Sequence, residues 1–360
     1  MSQPINFSDL LQIRCGGEQM MMGSGPTEVI EIESREQWEQ KAEALRQLYR
    51  LILGHRPDGY DQPLDLQTES EEDCGEFLNR TVSYMVGPDE RIRAYVLIPK
   101  DASAPLPAVL TIHPTNEIGR EQTIGNDPSP KGQSHAYGLH LVRRGYVTLS
   151  YDIDSTNERM YPGQRYFGNA PFYDKCPQWS ARGKDLYDYS CAVDVLEQIP
   201  EVDPNRIGSI GHSQGGGITI DVMAIEPRVK AGVSNCGDWP FRLSKNPFNR
   251  CRTGWWIGNV HLRPFALTGK QFPIDLHEKI ALSAPRPFLK ITALNDFKYT
   301  PEEEHVTRAA FEEMERSVRQ VYELYGAGEK VEFFNHMKAH SFSEEERSLA
   351  YDFLDQHLKS

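Results

Sequence analysis

The chain has 360 residues, with 52 acidic and 39 basic side chains and a formal net charge of -13 at pH 7. A surplus of negative charge repels nucleic-acid phosphates and anionic lipid, so we expect neither nucleic acid nor a membrane surface as a partner. Hydrophobic residues make up 39% of the sequence, which is enough for the core of one large α/β domain or two smaller ones.

Targeting signals and cysteine spacing suggest where the protein works. The sequence has no run of about 18 apolar residues, the length that a membrane-spanning helix needs. The opening segment MSQPINFSDLLQIRCGGEQ lacks the basic and apolar stretches of a signal peptide, so we expect a cytoplasmic protein. The six cysteines show no CxxC spacing, which favours free thiols over a zinc ribbon or a thioredoxin motif.

Composition leaves the choice between a monomer and a homo-oligomer open.

The first predicted elements are a helix and a hairpin. In SREQWEQKAEALRQLYRLILG, apolar residues recur every three or four positions, and Ser34 and Gly54 fit the two caps of an amphipathic helix. The segments FLNRTVSYMV and IRAYVLIP have strand character and are separated by the turn-rich GPDER, so they predict an antiparallel hairpin. Residues 1–105 therefore form a predicted N-terminal extension with the first antiparallel strands.

Strands and helices alternate through residues 106–360. The solid apolar runs PAVLTIHP and GYVTLSYDID are typical of strands that are buried on both faces. Helical segments and further strands follow, and the chain closes with strand KVEFFN and helix SEEERSLAYDFLDQHL. This alternation predicts an α/β fold with a mostly parallel central sheet, helices on both faces and an antiparallel start.

Two long segments, near residues 155–180 and 238–275, interrupt the alternation. Loops of this length are usually functional or disordered, and both segments are too aromatic for disorder. We interpret them as lid segments over a pocket. Trp239, Trp255 and Trp256 are candidates for stacking on a sugar or another flat apolar face of a substrate, with packing inside the lid as the alternative.

The segment Gly211-His212-Ser213-Gln214-Gly215 matches the pattern GxSxG between an apolar strand and a helical pattern. In that context the serine lies on a tight strand-to-helix turn that exposes its hydroxyl oxygen, and the glycines let the backbone pack closely. We predict that Ser213 is a nucleophile on such a nucleophile elbow. The alternative is a glycine-rich start of a helix.

A serine hydroxyl needs a histidine base that is oriented by a carboxylate. Asp296 follows the strand PFLKITAL, at the strand end where α/β sheets place their chemistry, and His340 lies in the loop after KVEFFN. The order Ser213, Asp296, His340 predicts the nucleophile, acid and base of a catalytic triad. Asp238 is the rival acid, and a turn or helix cap is the structural alternative for Asp296, although Thr300 is the better cap for the helix that follows.

The oxyanion of an acyl-transfer reaction needs backbone N–H donors. The amide of Gln214, the residue after the nucleophile, is the first predicted donor of the oxyanion hole. The second is expected in the loop after the first buried parallel strand, where Pro114 has no N–H. The amide of Thr115 is the predicted donor and that of Asn116 the alternative, while His113 receives no catalytic role.

Histidine spacing near the end of the chain raises the question of a metal site. His336 and His340 are four positions apart, as two zinc ligands on one helix would be. The segment HMKAH lacks the glutamate of HExxH and lies in a predicted loop. We therefore predict no metal and no other cofactor.

Five segments are similar, in order, to segments of one superfamily: PAVLTIHPTNEIG, LVRRGYVTLSYD, VLEQIPEVDPNRIGSIGHSQGG, ALND and HMKAHSFSEEERSLAYDFL. The chain resembles α/β-hydrolases, and among them the dienelactone-hydrolase and acetyl-xylan-esterase-like branch. The resemblance implies an α/β-hydrolase fold with its catalytic core at residues 106–360. It makes Ser213 the nucleophile, Asp296 the acid, His340 the base and Gln214 an oxyanion donor. Dienelactone hydrolases carry cysteine in place of Ser213, which argues against that reaction here.

The sequence therefore predicts a serine hydrolase that cleaves a carboxylic ester of a small molecule, for example a carbohydrate ester, through an acyl-enzyme. A prolyl-oligopeptidase-like peptidase shares the motif and the triad order, but the N-terminal region is too short for its propeller. A lactonase or carbon–carbon hydrolase would use similar groups. A non-catalytic ligand-binding protein of the same fold is disfavoured because all three residue types of the triad are present.

Overall fold

A computed structural model describes residues 7–15, 19–20, 23–24, 28–100, 104–243, 248–251, 256–268, 272–296 and 304–359. Strands and helices alternate through most of this range. The strands are β1 (Gln12–Cys15), β2 (Gln19–Met20), β3 (Gly23–Ser24), β4 (Glu28–Glu31), β5 (Gln67–Asp73), β6 (Phe77–Gly87), β7 (Glu90–Pro99), β8 (Leu106–Ile112), β9 (Val147–Tyr151), β10 (Val202–His212), β11 (Val229–Asn235), β12 (Phe288–Ala293) and β13 (Val331–His336). The helices are α1 (Arg35–Leu53), α2 (Pro130–Ser134), α3 (Tyr137–Arg143), α4 (Ala170–Lys175), α5 (Ala181–Gln198), α6 (Gln214–Ile225), α7 (Phe248–Cys251), α8 (Arg263–Thr268), α9 (Leu276–Ala281), α10 (Glu304–Glu323) and α11 (Glu344–Leu358).

A nine-stranded sheet in the order β13-β12-β11-β10-β8-β9-β7-β6-β5 organises the molecule. The six strands from β13 to β9 run parallel to one another, whereas β7 pairs antiparallel with β9, β6 with β7 and β5 with β6. The predicted fold class, a mostly parallel sheet with an antiparallel N-terminal hairpin, is confirmed. Because parallel strands end at a common edge, the residues that follow β8, β10, β11, β12 and β13 come together there.

Helices cover the parallel sheet on both faces, as the continuous apolar runs of its strands require. Along β8, Ala108, Leu110 and Ile112 pack into one core with residues of α1, α5, α6, α9 and α10. Val109 points to the other face, where residues of α3 and α11 form a second core. Within the described residues, no helix combines the length and the apolar character needed to cross a membrane.

The first predicted helix is confirmed as α1. Ser34 accepts a hydrogen bond from the backbone N–H of Gln37, and the Gln37 side chain accepts one from the Ser34 backbone, which forms a capping box. Gly54 ends the helix with a φ of 89°, a conformation that glycine adopts without steric cost. The apolar stripe of the helix buries Trp38 and Tyr49 in the main core.

Strand β5 was not expected from the sequence. Its segment QTESEED is exposed at every position and carries four acidic residues, so it shows no apolar alternation. It pairs with β6 at the edge of the sheet, and Glu69 and Glu71 form ion pairs with Arg93 and Arg80. A charged edge strand of this kind resists pairing with the strands of other molecules.

The two predicted lid segments contain short helices rather than continuous loops. Helix α4 lies in the first segment, and α7 and α8 lie in the second. Helices of four to six residues are too short to produce a clear apolar periodicity, which is why the sequence did not indicate them.

The two segments also pack against each other. The side chain of Asn169 accepts a hydrogen bond from the backbone N–H of Ile257 at 2.9 Å and donates one to its carbonyl oxygen at 2.8 Å. The ring of Phe167 stacks on Trp256 with ring centroids 4.0 Å apart. The two segments therefore form one joined layer.

Candidate active site

Ser213 occupies a sharp turn between β10 and α6. Its φ of 56° and ψ of -114° are rare for a residue with a side chain and strain the backbone. The Ser213 backbone N–H donates to the carbonyl oxygen of Asn235, the last residue of β11, at 2.9 Å. This is the local geometry of a nucleophile elbow, in which the strand end projects the serine side chain away from the sheet.

The glycines of the motif leave no room for a side chain. A Cβ placed on Gly211 would lie 2.2 Å from the carbonyl carbon of Gly215, and one on Gly215 would lie 2.1 Å from the carbonyl oxygen of Ile112. A Cβ on Gly216 would lie 2.7 Å from the carbonyl oxygen of Asn235. All three contacts are with backbone, which cannot move aside, so the steric role predicted for these glycines is confirmed.

Asp296 and His340 meet at the same edge of the sheet. Asp296 follows β12 and is almost fully buried, and His340 follows β13. Nδ1 of His340 lies 2.6 Å from Oδ2 of Asp296. An ionised carboxylate only accepts hydrogen bonds, so Nδ1 carries the proton and Nε2 of His340 is left as the basic nitrogen. The ring centroid of His340 lies 4.7 Å from that of His212, the residue before Ser213, which brings the base beside the elbow.

The rival acid Asp238 faces a different group of residues. A Cβ on Gly217 would lie 3.4 Å from the Asp238 carboxyl, so this side chain lies along α6. Burial lowers the pKa of Arg182, but Asp221, Asp185 and Asp238 outweigh that effect and raise it above its ordinary value. The structure therefore pairs Asp296 with His340 and places Asp238 in the electrostatic environment of Arg182.

The loop that carries His340 is tied to the strand end that carries Asp296. Asn295 accepts a hydrogen bond from the backbone N–H of Ala339 at 2.8 Å and donates one to the carbonyl oxygen of Met337 at 2.7 Å. Ala339 has a φ of 58°, so the chain turns sharply just before His340. The position of Asn295 next to Asp296 in the sequence was the only signal for this brace.

The predicted oxyanion donors follow two adjacent strands. Gln214 is the first residue of α6, where backbone N–H groups are not used within the helix. Thr115 is exposed in the turn after β8, and the carbonyl groups of Ile112 and His113 lie against Gly215. The side chain of Asn116 donates to the carbonyl oxygen of Pro114 at 3.1 Å and stabilises this turn. The donor roles of Gln214 and Thr115 stay predictions.

His113 is a buried structural residue in this arrangement. Its Nε2 accepts a hydrogen bond from the backbone N–H of Ile153 at 3.0 Å, so its Nδ1 donates to the carbonyl oxygen of Pro114 at 2.8 Å. Burial lowers the pKa of His113 to about 4. The ring stays neutral at physiological pH and joins the ends of β8 and β9.

Three of the ligand types that bind transition metals converge near the triad. The thiol of Cys236, a carboxylate oxygen of Asp296 and a ring nitrogen of His340 lie within 4.8 Å of one another. The carboxylate and the ring are joined by a hydrogen bond, which is the contact that the predicted acid and base require. The other histidine considered from the sequence, His336, accepts a hydrogen bond on Nδ1 from the backbone N–H of Lys338.

The tryptophans predicted to bind substrate take part in packing. Trp239 is 8% exposed and its ring centroid lies 6.4 Å from that of Phe311. Trp256 stacks on Phe167, as described above. Trp255 lies outside the described residues, as does Thr300, the predicted helix cap. These contacts favour the packing alternative, and the substrate-binding role stays a prediction.

Two buried residues beside the triad were not singled out from the sequence. Asn235 ends β11 and contacts both the elbow and the loop that carries His340. His212 occupies the variable position before the nucleophile, and its ring lies between those of His135 and His340. The GxSxG pattern does not include Asn235 and accepts any residue at the position of His212. Only the spatial arrangement therefore shows that the two residues lie beside the predicted triad.

Comparison with known proteins places this geometry in context. The family model of acetyl xylan esterase (AXE1) matches residues 183–250. YtaP of Bacillus subtilis (strain 168) is 26% identical over 322 residues, which cover 88% of this chain and 100% of YtaP. Carbohydrate esterase MZ0003, from an unknown prokaryotic organism, is 24% identical over 310 residues, which cover 74% of this chain and 70% of that protein.

Among solved structures, a glucuronoyl esterase from Solibacter usitatus superimposes with a TM-score of 0.71 at 19% identity, covering 91% of this chain and 94% of the esterase. This likeness shows a shared α/β-hydrolase fold. The resemblance to the acetyl-xylan-esterase-like branch that the sequence indicated is confirmed, and the esterases among these proteins support the prediction of a carboxylic ester hydrolase.

Proposed function

We propose that this α/β-hydrolase cleaves an ester of a carbohydrate, with Ser213 as nucleophile, His340 as base and Asp296 as acid. The observation that carries the proposal is the 2.6 Å hydrogen bond from His340 to Asp296 next to the strained elbow of Ser213. A hydroxyl, an imidazole and a carboxylate in this order are the groups that acyl transfer requires.

The first half of the reaction forms an acyl-enzyme. Nε2 of His340 takes the hydroxyl proton as the oxygen of Ser213 attacks the ester carbonyl, and the carbonyl oxygen becomes an oxyanion. The amides of Gln214 and Thr115 donate hydrogen bonds to this oxyanion. His340 then gives its proton to the leaving alcohol as the bond between the carbonyl carbon and the alcohol oxygen breaks. Asp296 holds the ring in the required tautomer and stabilises the imidazolium.

The second half releases the acid. His340 removes a proton from water, the resulting hydroxide attacks the acyl carbon, and the oxyanion forms again at the same amides. The bond to the oxygen of Ser213 breaks, and the proton held by His340 returns to that oxygen. The enzyme is restored, and no cofactor enters either half.

The carbohydrate part of the proposal rests on the relatives. The matching family model describes an acetyl xylan esterase, and one curated relative is a carbohydrate esterase. The aromatic segments that follow β9 and β11 add flat side chains at the edge of the sheet where the triad lies. Flat aromatic faces are a common means of binding sugar rings.

A serine-directed fluorophosphonate probe tests the chemistry. Wild type is expected to be labelled and to hydrolyse p-nitrophenyl acetate, whereas Ser213→Ala should do neither. Equal labelling of the two proteins would refute the serine-hydrolase mechanism. Acetylated sugars, uronate esters and simple alkyl esters of matched leaving group then test the substrate class, for which a higher kcat/KM on the sugar esters is expected. A preference for the alkyl esters would refute the carbohydrate assignment.

A further inference from the structure

Asn235 connects three parts of the active site. This fully buried residue ends β11, and its carbonyl oxygen accepts the backbone N–H of Ser213 at 2.9 Å. Its side-chain Nδ2 lies 2.8 Å from the carbonyl oxygen of Ser341, the residue after the base His340. The same Nδ2 lies 2.7 Å from Nδ1 of His212. One residue thus contacts the backbone of Ser213, the loop that carries His340 and the ring of His212.

The orientation of the Asn235 amide follows from its partners. A backbone carbonyl only accepts hydrogen bonds, so the amide atom facing Ser341 must be the nitrogen. The second hydrogen of that nitrogen points to Nδ1 of His212, which therefore accepts. The thiol of Cys236 lies 3.7 Å from the amide oxygen and 3.7 Å from the carbonyl oxygen of Ser341, so this weak donor fits the orientation without deciding it. The carbonyl group of Ser341 fixes the orientation of the amide, and the His212 ring accepts from the same nitrogen.

This orientation fixes the chemical state of His212. A ring nitrogen that accepts a hydrogen bond carries no proton, so His212 is neutral with its proton on Nε2. Protonation of Nδ1 would point its N–H at the side-chain N–H of Asn235 and remove the hydrogen bond between them. The Asn235 amide therefore disfavours the protonated, positively charged form of His212.

The charge on His212 matters because of where the ring lies. Its centroid is 4.6 Å from that of His135 in a stacked pair and 4.7 Å from that of His340. Burial, together with the positive charges of Lys131, His340 and Arg347, lowers the pKa of His135 to about 4. The two rings behind His340 are then neutral. A positive charge on either would disfavour the imidazolium that His340 forms in each half of the reaction.

We propose that Asn235 and His212 are positioning residues for the triad: Asn235 joins the elbow of Ser213 to the loop of His340 and holds His212 as a neutral ring against the base. The inference rests on the proposed function, since it concerns the same serine and histidine. It adds two residues that the GxSxG pattern and the triad order do not assign.

Asn235→Ala tests the connection. The substitution keeps the backbone carbonyl that accepts the N–H of Ser213 and removes both side-chain donors. We expect kcat for p-nitrophenyl acetate to fall by at least about tenfold with KM within about twofold of wild type. The reason is that the substitution displaces the base His340 and leaves the substrate-binding surface in place. Ser209→Ala is the matched control: it also removes a buried polar side chain with two hydrogen bonds, here to Tyr189 of α5 and Thr219 of α6, from the strand that leads to the elbow.

Asn235→Asp keeps the shape of the side chain and replaces its donors with acceptors. Its kcat should fall as that of Asn235→Ala does. This variant provides the test if Asn235→Ala does not fold. A kcat within about threefold of the Ser209→Ala control in both folded variants, or a loss that lies in KM alone, would overturn the connection.

Nitrogen NMR of histidine-labelled protein tests the state of His212 without turnover. Wild type should show Nδ1 without a proton and Nε2 with one between about pH 6 and pH 8, with the resonances identified by their loss in His212→Gln. In Asn235→Asp the ring should become protonated in that range. A wild-type His212 that carries its proton on Nδ1, or that is charged, would overturn the inference. Failure of the proposed function would look different, since wild type would then neither hydrolyse the ester nor react with the fluorophosphonate.

Discussion

Three residues with side chains adopt left-handed backbone conformations around the candidate site. They are Ser213 with a φ of 56°, Cys236 with a φ of 45° and Ala339 with a φ of 58°. Such conformations cost a non-glycine residue about 1–3 kcal/mol, and they persist only where the surrounding structure holds them. Ser213 follows β10, Cys236 follows β11 and Ala339 precedes His340. Strained backbone therefore occurs at the predicted nucleophile, directly before the predicted base, and directly after Asn235.

The choice between the two candidate acids gives a prediction at this scale. Asp296→Asn should lower kcat by roughly 10³- to 10⁴-fold, because an amide no longer holds the His340 ring in the tautomer that leaves Nε2 basic. Asp238→Asn should lower kcat by less than about tenfold, since its carboxyl lies along α6 near Arg182. Initial rates with p-nitrophenyl acetate measure both. A larger loss in Asp238→Asn would reverse the assignment of the acid.

At the scale of elements, the joined layer formed by the two lid segments gives the next prediction. The side chain of Asn169 forms two hydrogen bonds with the backbone of Ile257, and Phe167 stacks on Trp256. Asn169→Ala should lower the free energy of unfolding by about 1–3 kcal/mol, because the backbone N–H of Ile257 loses its partner, while the carbonyl oxygen keeps its hydrogen bond from Tyr173. Urea unfolding measures the loss.

Trp256→Ala tests whether the tryptophan packs or binds substrate. Because its ring stacks on Phe167, we expect a lower melting temperature with a KM within about twofold of wild type. Phe167→Leu, which weakens the same contact from the other side, is the matched control and should lower the melting temperature in the same way. A raised KM in Trp256→Ala with an unchanged melting temperature would instead support stacking on the substrate.

A buried carboxyl group in helix α5, that of Asp185, should make stability depend on pH. Burial raises the pKa of Asp185 from 3.8 to about 7, with Arg182 opposing that effect and Asp154 and Asp188 adding to it. The folded protein therefore holds a proton that the unfolded chain releases between about pH 4 and pH 7. The contribution of this group to stability is present below its unfolded pKa and is lost as the pH rises through that window.

Asp185→Asn removes this titration while keeping the shape of the side chain. Relative to wild type, the variant should gain stability as the pH rises from 4.5 to 7.5, by a few kcal/mol at most, because one pKa unit corresponds to about 1.4 kcal/mol. Urea unfolding of both proteins at three pH values in that range gives the difference. A difference that stays constant with pH would show that Asp185 is ionised throughout.

At the scale of the whole molecule, one sheet contains the strands on both sides of the boundary predicted at residue 105. Strand β7 lies inside the sheet between β9 and β6, and it contributes Ile92, Ala94 and Val96 to the main core. The predicted boundary follows the end of the predicted N-terminal helix and hairpin. The core itself continues across it.

Removal of the N-terminal part tests how far the two parts depend on each other. A chain of residues 106–360 would expose the edge of β9 and the apolar side chains that β7 covers. We expect this chain to be insoluble or to lack fixed tertiary structure, as judged by near-ultraviolet circular dichroism. A soluble product that the fluorophosphonate labels at Ser213 would show that the catalytic core folds alone.

The sequence by itself determined the fold class and predicted the members of the triad in their chain order. Buried strands appear in the sequence as continuous apolar runs, and the amphipathic helix α1 appears as apolar residues at every third or fourth position. The nucleophile motif appears as glycines two positions before and two after Ser213. All three signals are local along the chain. Strand β5 and the short helices of the lid segments left no such signal, because they are polar or too short. Only the tertiary structure brought Asp296, rather than Asp238, to His340, joined Phe167 to Trp256, and placed Asn235 between Ser213 and Ser341. These contacts link residues that are far apart in the sequence, and their partners are set by the way the sheet assembles rather than by any local pattern.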